Sequence, residues 1–86
     1  MLVKGDSIVP LLRPGHIVVV SPAMPLRSGD EAFVALKNGE RVVKIAHRSE
    51  NGYILESANS EYAPRPVWEH DVEVIFPVVL FVRREW

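Results

Sequence analysis

Two residues in this chain have the chemistry of an activated nucleophile and its base. They are Ser7, in the turn Lys4-Gly5-Asp6-Ser7, and Lys44, inside the apolar run Val42-Val43-Lys44-Ile45-Ala46. A serine hydroxyl is a weak nucleophile until an adjacent base removes its proton, and a neutral lysine amine is one such base. A lysine among apolar strand neighbours loses water, which disfavours the ammonium form. Ser7 is then the attacking group and Lys44 the general base, a pairing suited to peptide-bond hydrolysis. Gly5 exposes the backbone N–H groups that follow it, and the Ser7 N–H is the natural oxyanion donor; such donors contribute about 3 to 4 kcal/mol to a transition state. Asp6 is expected to bond the local backbone of the turn. Taken singly, Ser7 reads as an ordinary turn serine and Lys44 as a lysine that snorkels to solvent. The matching roles are what carry the pair.

The elements that must position these groups are mostly β. His16 to Val20 is β-branched and follows the turn pair Pro14-Gly15, while Ser21 to Ser28 holds two prolines without a period and reads as loop. Runs at Glu31 to Lys37, Glu40 to Arg48 and Tyr53 to Ser57 are separated by Asn38-Gly39 and Asn51-Gly52. Asn-Gly between apolar runs is a hairpin signal, because both central residues of a type I′ turn need positive φ. Two such turns predict a three-stranded meander with Lys44 on its central strand. A two-residue loop at Asn38-Gly39 places Lys44 opposite Phe33, with Val42 and Ala46 on its own face. Ala58 to Trp68 reads as loop, Val72 to Val82 as strand, and a short turn is expected around Ile8 to Leu12.

Length and composition exclude several classes. Eighty-six residues make one small domain, and nearly half are apolar with about a quarter charged, which predicts a folded globule. A formal charge of -1 gives no basic field for nucleic acid, so any DNA contact belongs to another segment. With no cysteine there is no disulfide framework or thiolate site, and the three histidines, His16, His47 and His70, lack metal-ligand spacing; no metal or cofactor is assigned. The carboxylates Glu56, Glu61, Glu69, Asp71 and Glu73 read as a solvated face, and Trp68 and Trp86 as core or interface residues. Ile75 to Val82 is far shorter than the roughly 20 residues a membrane helix needs, and Met1 to Lys4 reaches a turn before a signal segment could form. The reading is a cytoplasmic protein with no membrane contact.

Val3-Lys4-Gly5-Asp6-Ser7-Ile8-Val9-Pro10 followed by Pro14-Gly15-His16-Ile17-Val18-Val19-Val20 resembles the nucleophile segment of the LexA/UmuD and phage-repressor family of Ser-Lys self-cleaving proteins. Ser28-Gly29-Asp30, the Val42 to Ile45 strand and Leu55-Glu56-Ser57-Ala58-Asn59-Ser60-Glu61-Tyr62 extend the match over nearly the whole chain, with Ser7 and Lys44 separated by 37 positions. The resemblance implies an all-β fold, a folded antiparallel ribbon or partly open barrel related to signal peptidases. It implies Ser7 as nucleophile and Lys44 as general base. It also implies a homodimer, fusion to an N-terminal helix-turn-helix DNA-binding domain, and self-cleavage stimulated by a RecA filament after DNA damage.

The chain departs from that pattern in three places. Ile8 stands where the family usually has methionine, and His16 where an aspartate usually follows the glycine, removing a turn acceptor. Only six residues precede Ser7, and neither Ala-Gly nor Cys-Gly occurs in the chain. The expectation is therefore one domain over residues 1–86, with the DNA-binding domain and cleavage-site segment outside it. Two other readings follow: a non-catalytic dimerisation module of the same fold, motivated by the two-sided apolar run Val78 to Val82, and a peptidase acting in trans in the manner of a signal peptidase.

Overall fold

The computed structural model describes residues 9–13, 15–57 and 62–83. They form one open antiparallel sheet of seven strands: β1 (Val9–Arg13), β2 (His16–Val20), β3 (Asp30–Leu36), β4 (Arg41–Ser49), β5 (Gly52–Glu56), β6 (Arg65–Trp68) and β7 (Val72–Arg83). The all-β expectation holds. Among the described residues the only helical turn is the 3-10 turn Glu69–Asp71, and none of their helices is long and apolar enough to cross a membrane.

Spatial order is β1-β2-β7-β3-β4-β5-β6. The predicted meander is present as β3, β4 and β5, and β6 extends it by a fourth strand. The long β7 inserts between β2 and β3, pairing its first half with β3 and its second half with β2. Pro77 sits at this change of partner, opposite Ala32, and its carbonyl accepts the Ser21 N–H at 3.1 Å. Both sheet edges carry a proline, Pro10 in β1 and Pro66 in β6, where a missing N–H costs no ladder bond.

Two stretches expected to be irregular are strands. Val9–Arg13 pairs with β2 instead of forming a turn, and Arg65–Trp68 pairs with β5 inside the expected loop. In each case a neighbouring strand supplies backbone partners that the local sequence does not advertise.

β3, between β7 and β4, is buried on both faces from Ala32 through Leu36, with a side-chain cluster on each. Alternation sends Ala32, Val34 and Leu36 into one cluster with Ala46, Tyr53 and Leu55. Phe33 and Ala35 join Val18 and Val20 on the opposite face. A bulge between Ala35 and Leu36, where Glu73 is the extra residue of β7, keeps Val72 on the first face and Val74 on the second.

The turn chemistry corrects the predicted register. Leu36 and Glu40 close the β3–β4 connection, with Leu36 N–H donating to Glu40 O at 2.8 Å and Gly39 N–H to Leu36 O at 2.9 Å. The loop therefore has three residues, with Gly39 at φ 99°, the left-handed position of a G1 bulge. Asn38 Oδ1 accepts the Glu40 N–H at 2.9 Å, which fixes the turn from its side chain. The extra residue slides the pairing by one, so Lys44 faces Ala32, and Phe33 faces Val43.

The second hairpin is also formed, but not by the expected turn. Ser49 pairs with Gly52 across Glu50 and Asn51, and no described residue other than glycine has positive φ, which excludes type I′. Gly52 does not take a left-handed φ either. It is required for space: a Cβ there would run into Val67 O, with Glu69 N at 2.8 Å and Trp68 C at 3.0 Å.

Candidate active site

Lys44 occupies the middle of β4, on the same face as Val42 and Ala46 and opposite Ala32. That face belongs to the cluster built on Ala32, Val34 and Leu55, so the lysine stem runs over apolar surface and the residue is half-buried. Across the other edge of β4, Ala46 pairs with Leu55 and Ile45 with Glu56. One step further along the same register Ser57 stands opposite Lys44. The Lys44 Nζ donates to Ser57 Oγ at 2.7 Å.

These groups open into a pocket of about 220 Å³, lined by Glu40, Val42, Lys44, Leu55, Ser57, Tyr62, Ala63 and Arg65. Val42, Leu55 and Ala63 give it aliphatic lining, and Glu40, Lys44 and Arg65 bring ionisable groups to it. Arg65 grips Glu40 with both guanidinium nitrogens, at 2.6 and 3.0 Å, so the start of β6 is tied to the β3–β4 turn. The hydrogen bond from Arg65 holds the Glu40 carboxyl below its usual range against the opposing effect of desolvation, with smaller help from Asn38 and from the Lys44 charge. The same pair raises the Arg65 guanidinium.

Ser7, Asp6 and the Ser7 N–H proposed as oxyanion donor lie outside the described residues. Of the predicted pair, the structure therefore places Lys44 alone: on the central strand of the meander, in an apolar surround, with its amine at the wall of a pocket.

None of the three histidines lines that pocket. His47 is on the opposite face of β4 and bonds Glu56 at 2.9 Å. His16 stacks on Phe81 with ring centroids 4.6 Å apart, and His70 stacks on Trp68 at 5.9 Å. Trp68 is 55% exposed at the β6 edge, so it is not a core residue. Among the described residues no three His, Cys, Asp or Glu side chains gather to hold a metal ion.

Sequence reasoning assigned no site role to the other polar members of the pocket, Glu40, Ser57, Tyr62 and Arg65. For Ser57 the expected second hairpin pointed to the wrong position. A two-residue loop centred on Asn51-Gly52 sets Lys44 against position 59, whereas the observed Glu50-Asn51 loop sets it against Ser57. The Glu40–Arg65 pair spans 25 positions and has no local signature.

A family model described as Peptidase S24-like matches residues 1–79, a span that includes Ser7, Lys44 and Ser57. No curated protein matches the chain, and no solved structure does.

Proposed function

Since the chain belongs to the Peptidase S24-like family and has an all-β fold, we propose that it is the C-terminal-type domain of a LexA-like or prophage repressor, cutting an upstream peptide bond with Ser7 and Lys44. The observation that carries this reading is the placement of the Lys44 amine in an apolar strand face at the wall of a pocket. The neutral amine accepts the Ser7 hydroxyl proton as Oγ forms a bond to the scissile carbonyl carbon. The Ser7 N–H receives the developing oxyanion. As the C–N bond breaks, the ammonium returns its proton to the leaving amine. A water molecule, deprotonated by the same amine, then releases the acyl group and regenerates Ser7.

The test is cleavage of the chain carrying an N-terminal segment with an Ala-Gly bond. Ser7→Ala stops cleavage, and Lys44→Ala lowers its rate by about 10²- to 10⁴-fold. Wild-type cleavage by either variant overturns the mechanism.

A dimer is part of the same proposal. Val79, Leu80, Phe81 and Val82 are 40 to 55% exposed, on both faces of the β7 half that pairs with β2. Contiguous apolar surface of this kind is stabilised by a cover, and a second copy of the chain supplies one. Operator binding is assigned to a separate helix-turn-helix domain, and stimulation to a RecA filament, both on the family resemblance. Without catalysis, the same surface would serve a purely dimerising module; cleavage by the wild type excludes that reading. Cleavage of supplied peptides in trans would instead favour a processing peptidase.

A further inference from the structure

We infer that Ser57 is a positioning residue: its hydroxyl holds the Lys44 amine so that the lone pair points away from β5 and into the pocket. The inference rests on Lys44 acting as the base, and it adds a group which that chemistry does not itself require.

The geometry is specific. Ser57 follows the last residue of β5 and continues the β4–β5 register, so its side chain emerges on the Lys44 face at a height fixed by the backbone ladder. Its Oγ is 2.7 Å from Nζ, while Val42 and Leu55, which line the same pocket, offer no hydrogen-bonding atom in their side chains. A lysine side chain carries about 2 kcal/mol of rotamer entropy, and an apolar groove restrains its stem but not the rotation of its terminal amine. A neutral amine has two N–H bonds and one lone pair. With one N–H committed to Ser57 Oγ, the lone pair and the second N–H are turned away from β5. A base so oriented is ready for proton transfer; one that rotates freely is aligned only part of the time.

A hydroxyl this close to a lysine amine also has the outward form of a nucleophile. The sequence distinguishes the two serines: Ser7 follows a glycine turn with N–H groups to offer, whereas Ser57 continues a strand. The experiment separates these roles as well.

Cleavage is measured on the chain carrying the Ala-Gly segment, for wild type, Ser57→Ala, Ser57→Thr, Lys44→Ala and the Ser57→Ala/Lys44→Ala double variant, with urea unfolding of each. Ser57→Ala is expected to lower the rate about 10- to 100-fold with an unchanged unfolding midpoint, and Ser57→Thr to restore most of it. In the Lys44→Ala background the Ser57→Ala change has no further effect, because a group acting through the amine has nothing left to orient. The Lys44 ε-methylene protons, distinct by NMR in the wild type, become equivalent in Ser57→Ala, a readout that a merely structural serine would not move. Inactive Lys44→Ala beside a fully active Ser57→Ala overturns the positioning role and leaves the Ser-Lys reading intact. Active Lys44→Ala overturns both. Cleavage by Ser7→Ala that is lost in Ser57→Ala makes Ser57 the nucleophile and also overturns the inference.

Discussion

Gly52→Ala is expected to destabilise the protein far more than a methyl group at the start of an ordinary strand would. The φ at Gly52 is not left-handed, so alanine suits the backbone there. In open space the change would stabilise the fold by about 0.4–1 kcal/mol by restricting the unfolded chain. The added Cβ instead meets Val67 O, Glu69 N at 2.8 Å and Trp68 C at 3.0 Å. All three are backbone atoms, so no side-chain rotamer relieves the clash. Overpacking of this kind costs about 1–3 kcal/mol or more, and the strand that must retreat is held by the Gly52–Trp68 pairing and by the Glu69 N–H to Asn51 O bond at 2.9 Å. Subtracting the unfolded-state gain leaves a net loss of about 1–2 kcal/mol. For a domain of this size that lowers the melting midpoint by about 4–16 °C. The assay is thermal and urea unfolding followed by circular dichroism, with Gly39→Ala alongside. Gly39 has open space but a left-handed φ of 99°, so its loss is conformational, about 1–2 kcal/mol. A Gly52→Ala protein as stable as wild type, or more stable, would refute the argument that close approach of β6 fixes this glycine.

Because Arg65 holds the Glu40 carboxyl below its usual range, that pair contributes stability that is present above the ordinary carboxylate range and is lost as pH falls through the lower folded value. Glu40→Gln should therefore be less stable than wild type in urea at pH 7, and the gap should close in acid; a gap that persists at low pH counts against the linkage. Phe33→Ala removes the aromatic ring from the second core cluster and should cost about 3–5 kcal/mol in equilibrium unfolding. Leu80→Arg places a charge at a 55% exposed position in the apolar stretch of β7 and is expected to convert a dimer to monomer in sedimentation equilibrium without lowering monomer stability. A wild-type protein that stays monomeric at high concentration would remove the dimer from the proposal.

What the residues alone determined is the local grammar. A β-branched run located β2, and apolar runs bounded by turn signals located β3, β4, β5 and β7, because strand preference in a half-buried sheet is visible over a few positions. Glycine-containing turns announced the two hairpins, and the motif segments around Ser7 and Lys44 pointed to the family that the match over residues 1–79 shows. Lys44 was legible as a candidate only beside Ser7, because a single lysine among valines and isoleucine reads equally as one that snorkels to solvent. Tertiary structure decided everything that depends on counting across a gap. The three-residue turn ending at Gly39 shifted Lys44 from Phe33 to Ala32, and the Glu50-Asn51 turn delivered Ser57 to its amine. Turn types differing by one residue share similar sequences, yet each moves every later pair by one. The insertion of β7 between β2 and β3, the approach of β6 to Gly52 and the clasp of Arg65 on Glu40 join segments far apart in the chain. Their free energy comes from surfaces that exist only once the sheet has formed, so no short stretch of sequence can encode them.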